Sequence, residues 1–155
     1  MTRPRTLRLD DFVPYRLSIT SNMVSDVIAS AYRSLFGLNV PEWRLVTVLA
    51  EHGSISQFGL CGATRMDKVT VSRAAIALVE RGLVKRAPNA DDKRSHLLSL
   101  TAAGRALYEQ VAPKALALED AIFADFSREE IATLVAMLHR LEVAALRCTV
   151  SQSGD

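Results

Sequence analysis

Cysteine is nearly absent from this 155-residue chain: Cys61 and Cys148 are the only two. They form no Cys-x-x-Cys pair and no metal-ligand spacing, so neither a disulfide framework nor a zinc ribbon is expected, and a reduced, cytoplasmic chain is. A single thiol such as Cys148 acting as a redox switch stays open beside the plainer reading of a small apolar side chain. Histidine is almost as sparse. His52, His96 and His139 fall in three separate segments, which favours ordinary core or surface roles over a metal site. No apolar run is long enough to span a bilayer. Arg3, Arg5 and Arg8 surround Pro4 at the start, but no apolar core stands behind them, so the stretch reads as a polar arm rather than a secretion signal. The sequence also lacks a Ser-His-Asp order, a His-Glu-x-x-His pair, a glycine-rich phosphate loop and paired carboxylates. No enzymatic chemistry, cofactor or metal is therefore expected, and there is no internal repeat or low-complexity segment.

What is present is an uneven charge. The net formal charge is only +2, yet residues 65–100 hold eight Lys/Arg against four Asp/Glu. The flanks are near neutral before this segment and acidic after it, with five basic and eight acidic residues from position 101 onward. A basic island of this kind suits a polyanion such as nucleic acid. A solvated charged face is the competing reading.

Periodicity orders the elements. A first helix is expected from about Asp10, with Pro14 in its opening turns, a stripe of Val24, Val27, Ile28, Ala31 and Leu35, and Gly37 as its stop. A short second helix follows, with Pro41 in its first turn, Leu45, Val48 and Leu49 inward, and Gly53 at its end. Ser54 to Cys61 reads as a brief third helix. Asp67 is placed to cap a fourth, running to Arg81 with Val71, Ala75, Leu78 and Val79 buried. The period then changes to two: "LVKRA" and "HLLSL" are strand candidates around the turn-rich "PNADDKRS". Thr101 opens a long fifth helix bearing Leu107, Val111, Leu118 and Ile122, in which Pro113 should make a kink or a break. "SREE" from Ser127 to Glu130 has the form of a capping box and opens a sixth helix with Ile131, Leu134, Val135, Leu138, Leu141 and Ala145 on one face. The tail "SQSGD" reads as disordered.

Short helices, then a capped helix, then a hairpin, is the layout of a winged helix-turn-helix. A helix can enter the major groove of DNA with its N-terminal residues at the base edges. A neighbouring hairpin can follow the backbone and put a cation into the minor groove. The expected fold is mainly α with a small two-stranded β wing, carrying long N- and C-terminal helices.

"MDKVTVSRAAIALVERGLVKR" followed by "ADDKRSHLLSLTAAG" resembles the MarR family of bacterial transcription regulators. The resemblance rests on Leu78, Gly82, Leu83, Val84 and Arg86, on Asp92 and Arg94, and on Leu100, Thr101 and Gly104; "PEWRLVTVLAEHG" is similar to the family's second helix. It spans roughly residues 10–147. It implies a homodimeric, DNA-binding repressor whose long helices interlock two chains. It divides the chain into an N-terminal arm and dimerisation helix (1–36), a DNA-binding module (37–100) and C-terminal dimerisation helices with a tail (101–155).

The family pattern implies that Arg94 is the wing-tip residue for the minor groove. Asp92 would hold either the Arg side chain or the loop by a charge-assisted hydrogen bond. Lys93, with Lys85 and Arg86, would meet phosphates. On the fourth helix Lys68, Thr70, Ser72 and Arg73 are the DNA candidates, Arg73 suited to a bidentate contact with guanine and Thr70 and Ser72 to bases or phosphates. Val69 stands where the family places a small polar residue, and suits a thymine methyl. Phe58 to Met66 carries two glycines in a helix that relatives make from better helix formers. Relatives often take aromatic acids or their thioesters as effectors. Phe12, Tyr15, Arg16, Trp43 and Arg44 lie where such a cleft would form, with Arg16 or Arg44 placed to pair a carboxylate. A winged adaptor that binds protein instead of DNA is the alternative function.

Overall fold

The computed structural model describes residues 6–152. Arg3, Pro4 and Arg5 of the arm, and Ser153 to Asp155 of the tail, lie outside the described residues. Two compact units divide the chain, one up to Leu118 and one from Glu119.

In the first unit a single 3-10 turn, Leu9–Asp11, precedes α1 (Val13–Phe36). α1 starts a few residues later than expected, and its expected stripe is only partly inward: Val24 and Ile28 are half-buried. Ala29, Ala31 and Tyr32 are buried, whereas Val27 and Leu35 of the expected stripe are exposed. α2 (Val40–His52) opens on a capping box that the sequence reading did not include: Asn39 Oδ1 accepts the Glu42 N–H at 2.9 Å, and Glu42 Oε2 accepts the Asn39 N–H at 3.1 Å.

The expected third helix is two elements. Ser54–Ser56 is a strand, β1, and the helix α3 is Gln57–Thr64 with Ser56 as its N-cap. α4 runs from Lys68 to Glu80. The wing is β2 (Val84–Pro88) paired antiparallel with β3 (His96–Leu100), from Val84 opposite Leu100 to Pro88 opposite His96. β1 adds to the other edge of β3, with Ile55 opposite Leu98, so the sheet order is β1-β3-β2. The two-stranded hairpin thus gains a third strand that anchors it to the helices.

Leu38, Leu45, Leu49, Leu60, Val71, Leu78, Leu98 and Val111 are fully buried in one core that joins α2, α3, α4, the sheet and the start of α5 (Ala102–Ile122). α5 remains one continuous helix through Pro113; the expected break does not occur. In the second unit, the capping box at Ser127 and Glu130 forms as expected, with bonds of 2.8 and 3.1 Å, and starts α6 (Arg128–Gln152).

Candidate nucleic-acid interface

Recognition by a helix needs its first turn rigid and its outer face free. Asp67 provides the first at α4: its Oδ1 accepts the Thr70 N–H at 2.9 Å, and Thr70 Oγ1 donates to Oδ2 at 2.6 Å. The Thr70 hydroxyl bond, followed by the backbone bond, holds the Asp67 carboxyl below its usual pKa. Thr70 therefore keeps only acceptor capacity for a further partner. Lys68, Val69 and Arg73 are exposed on the same helix, Val69 at 57%. Ser72 is half-buried. The opposite face, Val71, Ala74, Ala75 and Leu78, is buried, where α4 packs on α2, α3 and β2.

The wing tip is built by short polar side chains. Asp92 Oδ1 accepts the Arg94 N–H at 3.0 Å, and the Asp92 carbonyl accepts the Ser95 N–H at 3.0 Å. Of the two roles open to Asp92, it takes the loop-holding one: it fixes the backbone of Arg94. Asn89, in the turn-rich stretch, is the second brace. Its Nδ2 donates to Ser95 Oγ at 3.0 Å and its Oδ1 accepts the Asp91 N–H at 3.1 Å. Lys93, Arg94, Lys85 and Arg86 are all exposed. Asp92 is thus engaged with backbone through its carboxylate, and the bases remain presented.

Between the start of α3 and the wing lies a hollow of about 420 Å³, lined by Gln57, Phe58, Arg86, Asp92, Arg94 and His96 among others. Its lower lip is held tightly. Ser56 Oγ accepts the Gly59 N–H at 3.0 Å, and a Cβ on Gly59 would stand 2.6 Å from Ile55 Cγ1.

A second cleft, about 430 Å³, lies among α1, α2 and α3. Ile28, Tyr32, Trp43, Arg44, Thr47 and Thr64 line it. Of the expected ligand residues, Trp43 and Arg44 are here; Tyr15 (half-buried) and Arg16 (exposed) are not among the lining residues, and Phe12 lines a separate N-terminal hollow. Tyr32 and Tyr108 complete what the sequence did not reveal: Trp43 stacks between them, with centroids at 5.4 and 5.9 Å. They are 76 residues apart in sequence, and only packing brings them to one indole. Burial raises the Tyr32 phenol above its usual pKa.

His52 Nδ1 lies 3.1 Å from the Val48 carbonyl, His139 Nδ1 lies 3.4 Å from Glu142, and His96 lines the wing hollow. Among the described residues no group of three His, Cys, Asp or Glu side chains could hold a metal, and no helix is long and apolar enough to cross a membrane. Cys61 is half-buried and Cys148 exposed.

A family model described as the MarR family matches residues 36–95. The regulator YwoH of Bacillus subtilis, an uncharacterised helix-turn-helix transcriptional regulator, is 32% identical over 95 residues, covering 61% of this chain and 69% of its own. A MarR/EmrR family regulator from Acinetobacter has a TM-score of 0.82 at 25% identity, covering 91% of this chain and 99% of its own. The Bordetella bronchiseptica regulator BpsR, whose DNA binding is regulated by 6-hydroxynicotinic acid, has the same fold, with a TM-score of 0.82 at 22% identity over 89% of this chain and 98% of its own.

Proposed function

This chain belongs to the MarR family of DNA-binding transcriptional regulators, which are not enzymes, and from that premise we propose that it is a homodimeric, ligand-responsive repressor. The observation that carries the reading is the pairing of a capped helix with exposed Lys68, Val69 and Arg73 and a braced wing with exposed Arg94. Arg73 reads a guanine edge, Val69 meets a thymine methyl, and Lys68 and the acceptor side of Thr70 serve the neighbouring base or phosphate. Ser72, half-buried, sits at the margin of this set. Arg94 enters the minor groove, and Lys93 and Lys85 neutralise phosphates.

The functional division is an N-terminal dimerisation segment (1–36), a reading head (37–100) and C-terminal dimerisation helices (101–155). Two reading heads related by a dyad meet half-sites about one turn apart, ~34 Å. The repressor blocks a promoter by occupying it. The cleft at Trp43 takes an aromatic acid, its ring against Tyr32 and Trp43 and its carboxylate on Arg44. The 6-hydroxynicotinic acid that regulates BpsR is a ligand of this chemical kind. Such a ligand shifts the dimer only through unequal affinity for its DNA-bound and free shapes.

The test is a gel-shift titration of wild type and Arg94→Ala across salt, on duplexes that the wild type selects from random sequence. Affinity should fall steeply with salt. Arg94→Ala should weaken binding about tenfold or more at every site, with dimerisation unchanged. A variant that binds as the parent does removes the wing from the interface; a parent that selects no duplex leaves the adaptor reading in its place.

A further inference from the structure

Phe58 is 90% exposed, the most exposed of the large apolar side chains among the described residues. A lone apolar side chain on a surface is common; this one has unusual company. It lines, with Arg86, Arg94 and His96, the hollow between the start of α3 and the wing. The backbone that carries it is held, because the turn is capped by Ser56 and Gly59 lies close against Ile55. The hollow's one carboxylate, Asp92, already accepts the Arg94 N–H. The pattern is an apolar plate beside cations, on the edge of a segment with eight basic and four acidic residues.

The DNA backbone offers the matching surface, since each apolar deoxyribose face is flanked by anionic phosphates. We propose that the start of α3 and the base of the wing close on one sugar–phosphate step of the bound duplex, with Phe58 packed on the deoxyribose and Arg86 on the adjacent phosphate. This rests on the wing-to-DNA reading above. The contact is independent of base sequence, so it sets affinity and register rather than the motif read by α4. Phe58 is a positioning residue: it seats the wing so that Arg94 reaches the groove.

The experiment uses the full-length protein and a duplex that the wild type selects from random DNA. Phe58→Ala, on an exposed side chain, should leave the melting temperature unchanged. Its Kd should rise about fivefold, as expected for half-burying a phenyl, with the slope of binding against salt unchanged because no ion pair is lost. Arg86→Ala should lower that slope by about one counterion. Hydroxyl-radical footprinting should show one protected cluster of sugars per half-site lost in Phe58→Ala, while the selected motif stays the same. Phe58→Glu should bind more weakly than Phe58→Ala. Binding by Phe58→Ala within about twofold of wild type (~0.4 kcal/mol), with the wild-type footprint, overturns the proposal. Arg94→Ala is the internal control. If it weakens binding and Phe58→Ala does not, only this contact fails; if neither does, the wing reading fails too.

Discussion

Gly104 and Gly62 show how one residue type can be indispensable at one position and replaceable at another. A Cβ on Gly104 would stand 2.0 Å from the Leu83 carbonyl oxygen. That oxygen accepts the Thr101 N–H at 3.1 Å, while Thr101 Oγ1 donates to the Gly82 carbonyl at 2.6 Å and accepts the Gly104 N–H at 3.1 Å. The Leu-Thr-x-x-Gly motif is therefore a clamp that ties the wing's exit strand to the end of α4. Gly104→Ala should destabilise the protein by about 1–3 kcal/mol. Gly62, with nothing within 4 Å of its would-be Cβ, should gain about 0.5–1 kcal/mol as Ala. Urea unfolding of both variants checks the pair, and equal effects would contradict the packing account. Asp67 gives a pH-dependent test. Its folded pKa is lowered, chiefly by the Thr70 hydroxyl, so its capping contribution is present above the unfolded carboxyl value of about 4 and is lost as pH falls through the lower folded value. The stability gap between wild type and Asp67→Ala should thus be widest near neutrality and close in acid; a gap constant with pH would remove the charge from the cap.

At the scale of elements, the end of α4 is tied to the junction of α1 and α2. Arg81 donates through Nη2 to the Phe36 carbonyl and through Nη1 to the Gly37 carbonyl at 3.3 Å, and Nη1 lies 3.7 Å from Glu42 Oε2. One guanidinium thus holds the last turn of α1, the capping box of α2 and the end of α4. Glu42 is 7% exposed, and losing its cation would leave a buried carboxylate poorly compensated. Arg81→Ala should cost about 1–2 kcal/mol, and Arg81→Lys should recover only part, since an ammonium cannot reproduce the fork. Full recovery by Lys, measured in the same unfolding experiment, would reduce the latch to simple charge. The elements themselves were largely legible. Asp67 as a cap, the Ser127–Glu130 box and the period-two wing depend on local chemistry. Ser-Ile-Ser of β1 carried no such signal, because three residues become a strand only when β3 lies beside them.

For the whole molecule, the outstanding physical fact is apolar surface. α6 exposes Leu134, Val135, Leu138, Leu141 and Leu146, and α1 exposes Leu17, Met23, Val27 and Leu35. A row of this kind along a helix exceeds the scatter of a monomer's surface. The dimer proposed above would bury it. Sedimentation should show a dimer at micromolar concentration, and Leu134→Glu with Leu138→Glu should shift it toward monomer. Operator affinity should fall with it, as two half-sites lose their linkage. A double variant that stays dimeric places the interface elsewhere.

The sequence alone determined the helices other than the third, the cap of α4, the charged wing and the family, because each depends on residues close to one another in the chain. Tertiary structure alone decided the burial of Tyr32, the third strand, the aromatic stack at Trp43, the Arg81 latch and the hollow beside Phe58. Each of these joins residues distant in the chain, and neither periodicity nor composition records which distant surfaces will meet.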